Sequence, residues 1–241
     1  MTFTDRRRYD AFRLLNEEAR SDAVDVLPFV FLLDEANLSP MEYYWADFMS
    51  LCDGDSRLAR TVQLGDDRLC RIPSHLRFLA TVNIDDTTET LSPRLLDRAW
   101  IIRLPVPQFA APKKEGSVDT PVTWGEFLAA FGAGTAEKDA PEMQPFYEHF
   151  RKIGINVSMR SRRAVAKFIA VSSPLLDGGR KKAVDYAVAQ KLLPLIRSSG
   201  EEFEQWLEEL KRLCEPYPVS QSTVDDILIC GNHNLGFYQF F

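Results

Sequence analysis

"FVFLLDEANLSP", residues 29–40, decides how the chain is read: five apolar residues run into two carboxylates, Asp34 and Glu35, and a Ser-Pro pair follows at 39 and 40. Residues 26–33 lack the alternation of a half-solvated strand, which predicts a strand covered on both faces, as in a parallel sheet. Ser39 is placed to cap a helix and Pro40 to fill its first turn, where its missing N–H costs nothing, so "MEYYWADFMSLC" is expected to be helical. Strand, short loop and helix form the first unit of an α/β arrangement.

Working outward, "RTVQLGDDRLCRIP" alternates on both sides of Gly65-Asp66-Asp67, the pattern of a β-hairpin. A second apolar strand, "RFLATVN", follows. Ser92 and Pro93 then repeat the capping arrangement and open a short helix, "RLLDRA", before a third apolar strand, "WIIRL", closed by Pro105 and Pro107. Upstream, residues 9–20 place Phe12, Leu15 and Ala19 on one helical face. Residues 108–122 carry Pro112 and Pro121 without periodicity and read as a linker. Beyond them, helices are expected near residues 124–131, 141–153, 158–171, 180–196, 201–213 and 224–229, ending in the aromatic tail "LGFYQFF". The expected organisation is an α/β portion over 1–107, with about three parallel strands and a hairpin, a linker over 108–122, and an all-helical portion over 123–241.

Bulk properties bound the function. The 241 residues are 45% hydrophobic and 27% charged, the make-up of a globular chain with one large domain or two small ones. The longest uncharged apolar run, residues 26–33, is far below the ~20 residues a membrane helix needs, and a cytoplasmic protein with no membrane partner is expected. Cys52, Cys70, Cys214 and Cys230 form no C-x-x-C pair and read as reduced, packed thiols. A net charge of -6 argues against a broadly basic surface. Basic residues cluster at Arg160, Arg162, Arg163 and Lys167, and again at Arg180, Lys181 and Lys182. Such clusters are usually solvated helix faces, and direct nucleic-acid binding is not expected.

In an open parallel sheet, ligands sit beyond the carboxyl ends of the strands. Asp34-Glu35, Asn83 and the segment after Leu104 occupy such ends. An aspartate there suits Mg²⁺, usually through water; an adjacent glutamate suits the polarisation of an attacking water; an asparagine on the neighbouring strand suits its orientation toward a γ-phosphate. The plainer reading is that the two acids merely end a strand and charge the start of the next helix.

Several motifs, in order, favour the chemical reading. "LPFVFLLDEANLSPMEYYWADFMSLCDGD" resembles the Walker B strand and following helix of the McrB-like, dynein-related branch of AAA+ ATPases, and "IPSHLRFLATVNIDDTTETLSPRLLDRAWIIRL" resembles its sensor 1 and arginine-finger region. "VSMRSRRAVAKFI" is similar to its sensor 2 helix and "AVDYAVAQKLLPLI" to its helical lid. The resemblance implies a partial AAA+ parallel sheet followed by a helical lid, with Asp34 holding Mg²⁺, Glu35 as general base and Asn83 as sensor 1. It implies Arg94 or Arg98 as the finger that reaches the nucleotide of an adjacent subunit, the alternative being that one of them pairs with Asp97 or a neighbouring carboxylate. Arg160 is implied as sensor 2, with Arg162 and Arg163 competing for the role and a solvated basic face as the alternative for all three.

A triphosphatase of this kind also needs G-x-x-x-x-G-K-[ST], and these residues hold no such loop; "DGGRKKA" and "CGNHNLG" share letters but follow no strand. The strand that carries this loop in the family lies inside the sheet, so the resemblance implies that either its two neighbours close up against each other or pairing groups are left that invite a partner chain. Three explanations stand: a longer AAA+ protein, one half of a split ATPase, or a degenerate relative kept for binding. The resemblance thus implies a portion of a nucleoside triphosphatase that remodels protein or nucleic-acid complexes, in restriction or defence among other settings, and is inactive without a P-loop. Its implied cofactors are Mg²⁺ and ATP, favoured over GTP by the segment "NIDDTT". The implied partners are a homo-oligomeric ring or a complementary subunit supplying the loop, and a nuclease. The alternative is a non-catalytic protein that docks on another subunit or nuclease.

Overall fold

A computed structural model describes residues 26–49, 51, 60–64, 68–83, 88–104, 120–131 and 139–241. The expected helix over 9–20, the hairpin turn at Gly65-Asp66-Asp67 and most of the linker lie outside these residues. The chain divides into two compact units: described residues up to Ser92 and from 120 to Ala130 belong to the first, and those from Pro93 to Leu104 and from Phe131 onward to the second. Among the described residues no helix is long and apolar enough to cross a membrane.

The first unit is built on β1 (Phe29–Leu33), which pairs in parallel with β4 (Leu76–Ala80), Phe29 opposite Leu76 and Leu33 opposite Ala80. Phe31 and Phe78 point to one face, where Trp45, between α1 (Met41–Tyr44) and α2 (Ala46–Met49), and Phe48 of α2 close over them. Trp45 stacks on Phe48 at 4.2 Å and meets Phe78 edge-on at 5.1 Å. β2 (Thr61–Leu64) and β3 (Arg68–Arg71) form the expected hairpin, with Val62 opposite Cys70 and both buried. α4 (Trp124–Phe131) starts at a reciprocal cap: Glu126 N–H donates to Thr123 Oγ1 at 3.2 Å, and Thr123 N–H to Glu126 Oε2 at 2.8 Å.

Two expectations are corrected here. β1 is covered on one face only: Val30 and Leu32 are 58% and 57% exposed and Leu79, beside Leu32, is 55% exposed. An unbroken apolar run does not specify how many layers will cover it. The segment "WIIRL" forms no strand, so the parallel pairing is two-stranded among the described residues. Its residues belong to the second unit, where Ile101 N–H donates to the Gln190 carbonyl at 3.0 Å and Trp100 packs on Phe168 at 4.5 Å. The cause lies four residues past Gln190. Pro194 has no N–H to offer that carbonyl, and Ile101 supplies one.

The second unit packs helices around a core that includes Met143, Phe150, Val165, Ile169, Leu192, Leu207 and Leu210. After the short α3 (Pro93–Leu96) come α5 (Gln144–Lys152), α6 (Met159–Ser172), α7 (Gly179–Ala187), α8 (Glu201–Leu213) and α9 (Pro218–His233). α7 runs on through a π-helical turn, Val188–Leu192. In α8 the buried Phe203, Trp206, Leu207 and Leu210 keep helical spacing, with acids in the first turn and Lys211 and Arg212 in the last, as the helix dipole favours. α9 begins six residues earlier than expected because Asp185 of α7 caps it from outside, accepting from the N–H groups of Val219 at 3.0 Å and Ser220 at 2.8 Å.

The expectation of an all-helical second portion is also corrected. The aromatic tail forms β6 (Phe237–Gln239), antiparallel to β5 (Arg197–Ser199), and buries Tyr238 and Phe240. Gly231 of α9 lies directly under the Tyr238 ring, so that a Cβ at this position would overlap it. Helix propensity alone favours Gly231→Ala by about 1 kcal/mol. The collision reverses the sign, and the variant is expected to lose about 1–3 kcal/mol in urea unfolding; an unchanged or raised midpoint would contradict this packing.

Candidate functional site

The parallel register brings the carboxyl ends of β1 and β4 together, since Leu33 and Ala80 are partners. The ladder continues one step further: Thr81 N–H donates to Leu33 O at 2.9 Å and Ala36 N–H to Thr81 O at 2.8 Å. The Thr81 hydroxyl then serves both acidic residues. It donates to Asp34 Oδ1 at 2.6 Å and accepts from Glu35 N–H at 2.8 Å. Glu35 adopts a left-handed backbone, φ 48° and ψ 48°, at a cost of about 1 kcal/mol or more for a non-glycine residue. That turn leaves its carboxylate exposed and within reach of Asn83, whose Nδ2 donates to Glu35 Oε1 at 3.5 Å, the outer limit of a hydrogen bond.

Beneath this cluster sits Asn37, only 5% exposed. Its Nδ2 donates to the carbonyls of Asn83 at 2.7 Å and Glu89 at 3.1 Å, and its Oδ1 accepts from Asn83 N–H at 3.1 Å. One buried amide thus fixes the chain on both sides of the Asn83 side chain. Tyr44 adds a hydroxyl donated to Ala36 O at 2.5 Å. Asp34, Glu35 and Asn83, singled out by their places after apolar runs, are therefore brought together. Asn37 and Thr81 were not singled out as functional; the signal for Asn37 was an amide inside an otherwise apolar turn. The plainer reading of the acids accounts for less, because Asp34 is bound to Thr81 of the neighbouring strand and the helix that follows carries its own Glu42 in its first turn.

Arg94, Arg98 and Arg160 lie in the second unit, separate from the unit that holds the acids. α3 is four residues long, and Arg98 Nη1 donates to the Arg94 carbonyl at 2.9 Å. Asp97, between them in sequence, accepts from the hydroxyls of Ser158 at 2.6 Å and Ser161 at 2.8 Å and pairs with Arg160 at 3.5 Å. Ser158 also caps α6 by accepting from Ser161 N–H at 3.1 Å. The buried Lys191 ammonium donates to the carbonyls of Leu96 at 3.0 Å, Asp97 at 2.9 Å and Ala99 at 2.7 Å. These groups wall a cavity of about 400 Å³ that Arg94, Arg98 and Arg160 all line. Of the residues competing with Arg160, Arg162 sits over the Tyr147 ring at 4.5 Å and donates to Val157 O at 3.2 Å, while Arg163 is exposed. In the second basic cluster, Arg180 grips Glu142 through two nitrogens, at 2.5 and 3.1 Å.

Burial pushes the Asp97 carboxyl upward, but the Ser158 and Ser161 hydrogen bonds and the Arg160 and Lys191 charges outweigh it and hold it below the usual carboxylate value. Among known proteins, a family model described as a domain of unknown function (DUF8727) matches residues 129–234. The matched stretch includes Arg160 and Lys191 and leaves out Asp34, Glu35, Asn83, Arg94 and Arg98. Neither the curated proteins nor the solved structures give a match.

Asn37→Ala leaves one N–H and two carbonyls without their side-chain partner and is expected to destabilise the first unit by about 2–3 kcal/mol, with faster amide exchange at Asn83; native-like exchange there would remove Asn37 from the site's support. The lowered Asp97 value fixes a second expectation. Stability from this group is fully present above the unfolded value of about 4 and is lost as pH falls through the lower folded value. Urea midpoints taken from neutral to strongly acid pH should fall less steeply in Asp97→Asn than in the wild type, and parallel acid limbs would show that Asp97 is not linked to folding.

Proposed function

We propose that the chain is the water-activating part of a nucleoside triphosphatase of the AAA+ kind, similar to the McrB-like branch, working in the cytoplasm within a ring or with a complementary subunit. The observation that carries this reading is the meeting of Glu35 and Asn83 at adjoining parallel strand ends, with Asp34 held beside them through Thr81. Glu35, exposed and acceptor-only when ionised, takes the proton from an attacking water. Asn83 has an amide that donates to Glu35 and an oxygen left to accept from the same water, which orients it. Asp34 presents an exposed carboxylate, the hard oxygen donor that would hold Mg²⁺, and the ion would supply positive charge against phosphoryl oxygens.

Arg94 of the short α3 and Arg98 in the turn after it are the candidates to stabilise the transferring phosphoryl group of an adjacent subunit, and Arg160 is the candidate phosphate ligand of the helical unit, which serves as lid. The loop that grips the triphosphate is supplied from outside these 241 residues. ATP is the favoured nucleotide, with GTP the alternative, and the turnover drives remodelling of protein or nucleic-acid complexes alongside partners such as a nuclease. A second reading, a non-catalytic docking protein, draws on the exposed apolar face formed by Val30, Leu32 and Leu79.

The test is Glu35→Gln in the assembly that contains the loop-bearing segment or subunit. Turnover is expected to fall by about 10²–10⁴-fold, the range of a lost general base, with nucleotide binding retained; Asn83→Ala should lower turnover in the same direction. Undiminished turnover in Glu35→Gln would overturn the enzymatic reading in favour of docking.

A further inference from the structure

The cavity in the helical unit has an uneven charge. Arg94, Arg98, Arg160 and Lys191 line it against a single carboxylate, Asp97. That carboxylate is not loosely placed. Two serine hydroxyls hold Oδ1, at 2.6 and 2.8 Å, and Lys191 holds the Asp97 main-chain carbonyl at 2.9 Å. Oδ2 faces Arg160 at 3.5 Å, where the two side chains are 28% and 41% exposed. The arrangement has the chemistry of an anion subsite in which one oxygen anion is already built in: a planar guanidinium and two hydroxyl donors, all from the cap and first turn of α6, converge on a carboxylate of the chain itself.

A partly exposed ion pair of this length is weak. A phosphate-class anion carries more charge and offers more acceptor oxygens than a carboxylate, so it has the means to compete with Asp97 for Arg160. We propose that this cavity binds a phosphate-class anion and that Asp97 is its resident competitor, holding Arg160 until the anion arrives and takes over the guanidinium. Asp97 is then a positioning residue: it sets the affinity of the cavity and keeps Arg160 aimed into it. The inference takes from the proposed function only the expectation that the anion is carried by a nucleotide; the competition itself belongs to these side chains.

The test uses the 241-residue chain titrated calorimetrically with inorganic tripolyphosphate and, separately, with ATP at low salt. Asp97→Asn keeps an oxygen to accept from both serines but removes the charge, so both ligands should bind more tightly, by about five-fold, the upper end for release of a partly exposed pair. Adding Arg160→Ala should cancel that gain, and Arg160→Lys should restore part of it, a pattern that a purely structural aspartate does not produce. In the wild-type chain the Arg160 Nε–H resonance should shift saturably with tripolyphosphate, which tests the handover even where Asp97→Asn unfolds. A folded Asp97→Asn that binds no more tightly, a gain that survives Arg160→Ala, or an unmoved Arg160 resonance each overturns the inference. A response to ATP alone also overturns it, because recognition would then lie in the nucleoside. These results are independent of the Glu35→Gln experiment: turnover lost in that variant with no anion response here sinks only the Asp97 competition, and the converse sinks only the triphosphatase reading.

Discussion

A single buried ammonium decides which part of the molecule the arginine-bearing turn belongs to. Lys191 is 3% exposed, and a charge so placed is costly unless its donors are satisfied. Of the three carbonyls it reaches, that of Leu96 ends α3 and those of Asp97 and Ala99 follow it in the turn beyond the helix. The negative end of that helix adds a favourable field for the cation. Neither partner is stable in this place without the other. The Pro194 gap acts in the same sense, since it exposes the Gln190 carbonyl to which Ile101 N–H attaches. Residues 93–104 are thereby bound to helices about ninety residues later in sequence, and the guanidiniums of Arg94 and Arg98 go with them.

The acidic cluster in the first unit is positioned by the same kind of device. Its strands end at Leu33 and Ala80, and the ladder runs only one step further, through Thr81, before the candidate side chains Glu35 and Asn83. A buried amide, Asn37, and one hydroxyl, Thr81, satisfy the main chain there and set the directions of Glu35 and Asn83. In both units short irregular segments that carry candidate residues, Glu35 and Asn83 in the first and Arg94 and Arg98 in the second, are held by buried polar side chains, Asn37 and Lys191. Such networks are rigid when complete, because each unpaired member would carry a desolvation cost.

This dependence explains what could be read from the sequence. α8 and α4 have the residues expected of them because their signals are local: helical spacing in Phe203, Trp206, Leu207 and Leu210, and a Thr123-to-Glu126 capping pair. Asp34, Glu35 and Asn83 were legible because position after an apolar run is a local signal too. Features that rest on distant partners were not. The early start of α9 needs Asp185, the pairing of the tail needs β5, and the fate of "WIIRL" needs a proline more than ninety residues away. Composition also could not separate a strand covered on two faces from one covered on one, since Val30 and Leu32 are as apolar as buried residues are.

Charge separates the two units as chemical parts. The first offers two exposed carboxylates and an amide, a set that can activate water but repels a phosphate unless a cation intervenes. The second offers guanidiniums around a cavity, a set that can hold phosphate but contains only one carboxylate, itself occupied by two serines and Arg160. The candidate base, Glu35, and the candidate phosphate ligand, Arg160, therefore lie in different units. Under the proposed function this division would have a physical use, because groups of opposite sign held on different units would meet one phosphate only within an assembly. The Asp97–Arg160 pair extends that logic by one step, because the arginine too is occupied until an anion of higher charge competes for it.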